Sequence, residues 1–273
     1  MPLIALLLML AALSGLGWLA RARRLRREHR ARIRKVLSQA NVGGECFAAE
    51  TLDGLPDPAA RYLRRAVAAG APLARSVDVR MSGTLRVGAD DWVPFEARQR
   101  ICAERGFLWE ARVGVVGRLR THGADWLVGE AAGMSHALAD WWPVLRRNGA
   151  ETARSALGRF VVELIWLPSA LTPQRGAKWM RGDSSRAVVT PAGGKSTVAV
   201  AVAEDGRLIE VSTVRRRVSA NGESLVAPFG LVIESERRWG DYVVPEKLVA
   251  AWGIGTDDRE DFLRLSVDDI RWL

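Results

Sequence analysis

From Arg75 onward the chain alternates apolar and polar residues with a period of two. Val77, Val79, Met81, Leu85 and Val87 alternate with Arg80, Ser82, Thr84 and Arg86. Val93, Phe95, Ala97 and Ile101 alternate with Glu96, Arg98 and Arg100, and Phe107, Trp109, Ala111, Val113 and Val115 with Glu110 and Arg112. Strands with one face on a core and the other toward water give this pattern. Further strand patterns cover 185–191, 195–203, 207–218, 229–239, 243–253 and 259–272, separated by the turn sequences AGGK, EDGR, SANGE, WGD and GTDD. The count predicted is about nine or ten antiparallel strands.

Two stretches carry a helical period instead. Asp57 as N-cap, Pro58 at the first helical position, Leu63, Ala66 and Val67 on one side and Gly70 past the end predict a short helix at about 58–69. Between the two groups of strands, helices are predicted at about 135–167. SHALADWW makes a short one, and NGAETARSALGRFVVELIWLP a longer one, with Asn148 and Glu151 as a capping box, a stripe of Leu157, Phe160, Val161, Leu164 and Ile165, and Pro168 as its end. A sheet this long must curl, close or be covered. The fold class predicted is mainly β within α+β: a curved, half-barrel-like antiparallel sheet, residues 45–273, with the inserted helices covering its hollow.

Ahead of it, PLIALLLMLAALSGLGWLA, residues 2–20, carries no charge. At ~1.5 Å per residue a helix of this length spans roughly 28 Å, close to a bilayer's hydrocarbon core. Residues 1–20 are therefore predicted to be a transmembrane helix, with Trp18 as an interfacial anchor. Leu25, Ile33, Val36, Leu37 and Ala40 keep one helical face, which predicts a juxtamembrane helix over 21–40, broken by NVGGE.

Charge then decides the orientation. The chain has 40 Lys and Arg against 31 Asp and Glu, a net +9. Residues 21–35 alone contribute nine positive charges and one negative, so everything after Val36 is nearly neutral. A nucleic-acid partner would require basic residues spread over a face of the folded domain, and none is expected. Dense positive charge beside an apolar span resists translocation, so the domain is predicted on the cytoplasmic side of the inner membrane, single-pass, with the basic flank on anionic headgroups.

Candidate chemistry is sparse. GGKST, residues 193–197, lacks the first glycine of a phosphate-binding loop, where Val189 stands, and precedes a strand; it reads as a hairpin turn. His29, His122 and His136 are too scattered for a metal site, and no cofactor is predicted. Cys46 and Cys102 read as buried small hydrophobes. Tryptophan is abundant, eleven against two tyrosines. Large core filler is the simplest account; the alternative is that several line an apolar ligand cavity. For such a site the candidates are Trp109, Trp166 and, on the flank of the inserted helix, Arg159 and Glu163, whose simplest reading is a helical ion pair of a few tenths of a kcal/mol. No catalytic residue is assigned.

GLPDPAARYLRRAV (54–67), RQRICAERGFLWEARV (98–113), RFVVELIWLPSALTP (159–173) and ERRWGDYVVPEKLVAAWG (236–253) together resemble a bacterial family defined only as a domain of unknown function. The resemblance implies no established reaction. More distantly, a half-barrel with helices in its hollow looks like the LolA-type lipoprotein carriers, which hold acyl chains. Those carriers are periplasmic and soluble, whereas the charge run here argues for a cytoplasmic, anchored domain. The expected function is a membrane-tethered module binding a lipid or similar hydrophobic ligand. The alternatives are an enzyme on a membrane-derived substrate, with Glu163 or His122 as acid or base, and a scaffold that recruits a partner through a strand edge or the Trp141–Trp142 pair.

Overall fold

In the computed structural model, which describes residues 2–38, 44–88, 91–114, 119–194, 196–218 and 224–273, the alternating segments form one antiparallel sheet. Its strands are β1 (Ser76–Val87), β2 (Asp91–Cys102), β3 (Gly106–Gly114), β4 (Arg120–Val128), β5 (Ala131–Leu138), β6 (Trp142–Asn148), β7 (Lys178–Arg181), β8 (Arg186–Thr190), β9 (Val198–Val202), β10 (Leu208–Val218), β11 (Ser224–Trp239), β12 (Tyr242–Trp252) and β13 (Glu260–Trp272). Their spatial order is β6-β5-β4-β3-β2-β1-β13-β12-β11-β10-β9-β8-β7. The β1–β13 pairing, with Val79 opposite Ile270, joins the two halves of the chain.

Among the described residues three α-helices accompany the sheet: α1 (Pro2–Ser38), α2 (Asp57–Ala66) and α3 (Ala150–Glu163), the last followed by 3-10 turns through Arg175. Helix α3 touches β4, β5 and β6 on one side and β10 on the other. In a flat sheet β5 and β10, eight strand spacings apart, would be separated by about 38 Å, whereas a helix is only ~10–12 Å wide. The sheet must therefore curl around α3, giving the half-barrel, and its concave face and α3 share one hydrophobic core that includes Phe95, Phe107, Trp109, Phe160, Val161 and Phe229.

Several expectations change. Residues 135–148 are not helical: SHALADWW belongs to β5 and β6, where Gly123 opposite His136 and Trp126 opposite Gly133 tie β5 into the ladder. Pairing with β4 outweighs the helix propensity of Ala and Leu there. Together with the short β7, this gives thirteen strands among the described residues. The α3 N-cap is Gly149 rather than Asn148, and Glu151 turns to Arg154 and Arg216 instead of closing a capping box. Residues 191–197 do connect antiparallel β8 and β9, with Lys195 outside the described residues. Cys102 is buried, but Cys46 is exposed.

Helix α1 lies on the opposite, convex face. Ile33 and Leu37 are buried against Cys102, Leu108 and Ala124, with Trp126 and Val128 beside them. His29 meets the edge of Trp126 at 5.1 Å. Much of the basic run is used in this docking. Arg23, Arg27 and Arg30 surround the Asp140 carboxylate at 2.8, 3.1 and 3.6 Å, and Arg34 reaches Glu110 at 2.5 Å. Burial would raise the Asp140 carboxyl, but the hydrogen bonds and charges of these arginines outweigh it and hold it below its usual value. Asp140→Asn is expected to weaken the docking by about 1.5–3 kcal/mol, seen as roughly tenfold or faster amide exchange along residues 26–38.

Among the described residues no helix is long and apolar enough to cross a membrane. The segment behind that expectation is described only in part, since the side chains of residues 2, 3, 5–8, 11 and 12 lie outside the described residues. Of those described, Ile4, Met9, Leu10, Leu13, Leu16 and Trp18 are all exposed.

Candidate functional site: a charged clasp and an aromatic recess

On the concave face, strand alternation delivers polar groups into an apolar interior. Gln99 follows the inward phase of Ala97 and Ile101 on β2, Trp109 that of Phe107 and Ala111 on β3, and Asp125 that of Leu127 on β4. Helix α3 lowers Arg159 and Glu163 onto them. The Arg159 Nε donates to Glu163 Oε1 at 2.8 Å and its Nη1 to Asp125 Oδ2 at 2.9 Å. Gln99 Nε2 donates to Glu163 Oε2 at 2.6 Å, and His136 Nε2 lies 3.0 Å from Asp125 Oδ1. The guanidinium also lies 5.1 Å from the Phe107 ring centroid and 5.0 Å from that of Trp109.

A second buried arginine completes the group. Arg215 of β10 donates from Nε to the Ser155 carbonyl of α3 at 2.7 Å and sits over Phe229 and Trp252. It passes so close that a Cβ at Gly158 would strike its side chain. Gly123 has a similar reason to be glycine, because the His136 ring covers it. Two carboxylates and two guanidiniums thus balance inside the hollow and hold α3 to both arms of the sheet, as a clasp.

The balance sets the protonation. Burial alone would raise the Asp125 carboxyl; the His136 hydrogen bond and the charges of Arg159 and Arg215 hold it below its usual value instead. Burial lowers Arg159, but Glu163 and Asp125 more than offset this and raise it. Arg215 is pushed down to about 9 by burial and then by the like charge of Arg159, against the pull of Glu163 and Asp125. It stays cationic at neutral pH. A carboxyl whose folded pKa lies below its unfolded value near 3.9 contributes fully above about pH 4, and that contribution is lost as pH falls through the folded value. Urea midpoints are therefore expected to fall between pH 5 and pH 3, less steeply for Asp125→Asn than for the unsubstituted chain.

Trp109, Arg159 and Glu163 come together in the clasp. Trp166 lies apart, fully buried in the turn after α3, where its indole donates to the Pro245 carbonyl at 3.2 Å. Its own carbonyl accepts from the Trp272 indole at 3.1 Å. His122 and Glu163, the expected acid–base candidates, occupy opposite faces of the sheet and cannot serve one reacting atom. His122 faces a groove of about 700 Å³ beside α1, with Arg30, Arg34, Arg98, Arg112 and Asp140. Among the described residues no three His, Cys, Asp or Glu side chains are grouped to hold a metal ion.

An apolar opening lies behind Trp272. A recess of about 500 Å³ is lined by Leu73, Trp239, Tyr242, Ile270 and Trp272, with Arg75, Asp241 and Arg271 also on its wall. Tyr242 and Trp272 stack at 4.6 Å. The Tyr242 hydroxyl donates to the Pro72 carbonyl at 2.5 Å and accepts from the Ala74 amide at 3.1 Å. The Trp239 indole N–H, by contrast, is buried with no hydrogen-bond partner. A buried donor left unpaired costs about 1–3 kcal/mol. The sequence contained the WGDY motif on which this recess is built but gave no reason to join it to residues 72–75 and 270–272, which long-range pairing supplies.

Residues 45–265 match the model of a sequence family described as "Family of unknown function (DUF6544)". No curated protein matches the chain. Among solved structures, it is similar to a putative outer membrane lipoprotein-sorting protein domain from Vibrio parahaemolyticus, at 10% identity over 72% of this chain and 85% of that one, with a TM-score of 0.39. It is also similar to a LolA superfamily protein from Nitrosomonas europaea, at 7% identity over 79% of this chain and 92% of that one, with a TM-score of 0.42. A family of unknown function is what the four motifs pointed to, and the distant likeness is the one the predicted half-barrel suggested.

Proposed function

Starting from the fact that the chain belongs to the DUF6544 family, for which no activity is defined, we propose that it is a membrane-tethered module that binds a lipid or similarly apolar ligand. The observation that carries this reading is the aromatic recess: a concave, mostly apolar surface with a few polar groups, Arg75, Asp241 and Arg271, on its wall, the composition expected of a small-molecule site. An acyl chain would lie along Leu73, Ile270 and Trp272, with its ester or carboxyl head among the polar groups of the wall. Trp166 stands directly behind Trp272. Trp109, Arg159 and Glu163 would meet a longer ligand only if the clasp opened and α3 lifted from the hollow.

The tether is the uncharged half of α1. Its apolar side chains are exposed at Ile4, Met9, Leu10, Leu13 and Leu16, a costly arrangement in water and a natural one in hydrocarbon. The positive charges that follow favour the cytoplasmic side of the inner membrane. Since Arg23, Arg27, Arg30 and Arg34 are occupied by Asp140 and Glu110, the exposed Arg21, Arg32 and Lys35 are left for anionic headgroups.

Native mass spectrometry of the detergent-extracted full chain tests the ligand, with oleate added as a probe. A lipid or oleate adduct is expected, weakened by Trp239→Ala, which removes an aromatic part of the wall, and abolished by Ile270→Trp, which fills the recess. Folded protein that carries no adduct, or an adduct indifferent to both substitutions, overturns the assignment. Carbonate extraction and reporter fusions after residue 273 test the tether and its orientation separately.

A further inference from the structure

The β5–β6 turn combines features that the clasp and the recess leave unexplained. Its tip, Ala139–Asp140, has two non-glycine residues with positive φ, 50° and 66°, a conformation that must be held by other contacts. Helix α1 holds it. Arg26 Nη2 donates to the Asp140 carbonyl at 3.0 Å and the Trp141 carbonyl at 3.3 Å, Arg23 and Arg27 grip the Asp140 carboxylate, and the Arg23 guanidinium lies 4.5 Å over the Trp141 ring.

These contacts aim apolar groups outward. Trp142 is 63% exposed, Val144 52% and Trp141 39%, with Pro143 exposed between them. Trp141 ends the turn, and Trp142, Pro143 and Val144 sit on β6, an edge strand of the sheet, where exposed apolar side chains invite aggregation unless something covers them. The covering is indicated by position along α1. Arg23, Arg26 and Arg27 meet the turn, His29 meets Trp126, and Ile33 and Leu37 meet Cys102 and Leu108. The turn is thus the part of the domain nearest the uncharged end of the helix. Trp18 precedes Arg23 by five residues, roughly 7–8 Å of helix rise.

The geometry points to the β5–β6 turn as a second membrane contact: Trp141, Trp142 and Val144 enter the headgroup region of an anionic bilayer beside the point where α1 leaves it. Tryptophan partitions to that interface, and exposed Arg21 and Arg146 supply the charge complementary to anionic lipid. With α1 locked to the turn, two contacts fix the tilt of the domain and hence the direction its recess faces; one flexible tether would not. The inference rests on reading residues 2–20 as the membrane segment.

The test uses the full chain in vesicles of phosphatidylcholine and phosphatidylglycerol whose acyl chains are brominated near the headgroup, with tryptophan quenching compared for Trp18→Ala and Trp142→Ala. Each substitution is expected to remove a quenched component of the emission. If Trp18→Ala removes one and Trp142→Ala does not, the turn is not in the membrane while the tether stands. If neither does, both readings fail. If Trp142→Ala instead converts a detergent-solubilised dimer to monomer, a second copy covers β6 and the lipid assignment is overturned.

Discussion

Arg159→Met is expected to destabilise the domain by about 3–5 kcal/mol, a loss readable as a lower urea midpoint at unchanged slope. The substitution keeps most of the side-chain volume but leaves the Asp125 and Glu163 carboxylates, both buried, without the guanidinium that bridges them at 2.9 and 2.8 Å. Removing one member of a buried charged set costs more than removing all of it, because the residual charge is stranded in a poorly polarisable interior. The double variant Arg159→Met, Glu163→Gln, which removes one charge of each sign and leaves Asp125 opposite Arg215, is therefore expected to recover part of the loss. A single variant as stable as the unsubstituted chain would show that α3 is held by apolar packing and that no ionic clasp exists. The same variant bears on function. If α3 lifts to admit a longer ligand, weakening the clasp should increase the oleate-bound fraction at a given concentration even as it lowers stability.

Trp166→Ala should cost a similar amount, about 3–5 kcal/mol, by a different mechanism. Trp166 is 1% exposed and is among the largest fully buried side chains of the domain. Truncation opens a cavity where the turn after α3 meets β12 and strands the Pro245 carbonyl that its indole served. Trp166→Phe separates the two contributions, retaining most of the volume while losing the hydrogen bond, and should cost about 1–3 kcal/mol. Both are measured by urea unfolding followed by circular dichroism. Because the Trp166 carbonyl accepts from Trp272, a wall of the recess, the alanine variant is also expected to release the oleate adduct. A fully folded Trp166→Ala with unchanged midpoint would mean that the turn is not part of the core.

The strands of both halves and the stripe on α3 were legible because each is a local periodicity. On α3, Phe160 and Val161 are buried and Leu157 half-buried as the 3.6-residue spacing required, whereas Leu164 and Ile165, also buried, fall in the 3-10 turn that ends the helix earlier than predicted. The clasp was half legible. Arg159 and Glu163 announce themselves by i,i+4 spacing, but Asp125, His136, Gln99 and Arg215 arrive from β4, β5, β2 and β10. A signal existed for Gln99, a polar residue on the inward phase of an otherwise apolar strand, which needs a partner; Arg215 shares its phase of β10 with Thr213 and Arg217 and carried no such mark. SHALADWW was misread because its alanines and leucine favour a helix locally. The pairing that makes it a strand is with β4, outside any local window.

By itself, then, the sequence determined the antiparallel class, the helix that must cover the sheet, and the concentration of positive charge beside an uncharged stretch. Each follows from forces acting between residues near in the chain. Only the tertiary structure decided where that charge is spent, since Arg23, Arg27, Arg30 and Arg34 find Asp140 and Glu110 across the convex face. It also decided that the hollow is closed by balanced buried ions and that the open apolar surface lies at Trp239, Tyr242 and Trp272. Those outcomes depend on sheet curvature and on pairing between distant strands, and neither is written in any one segment.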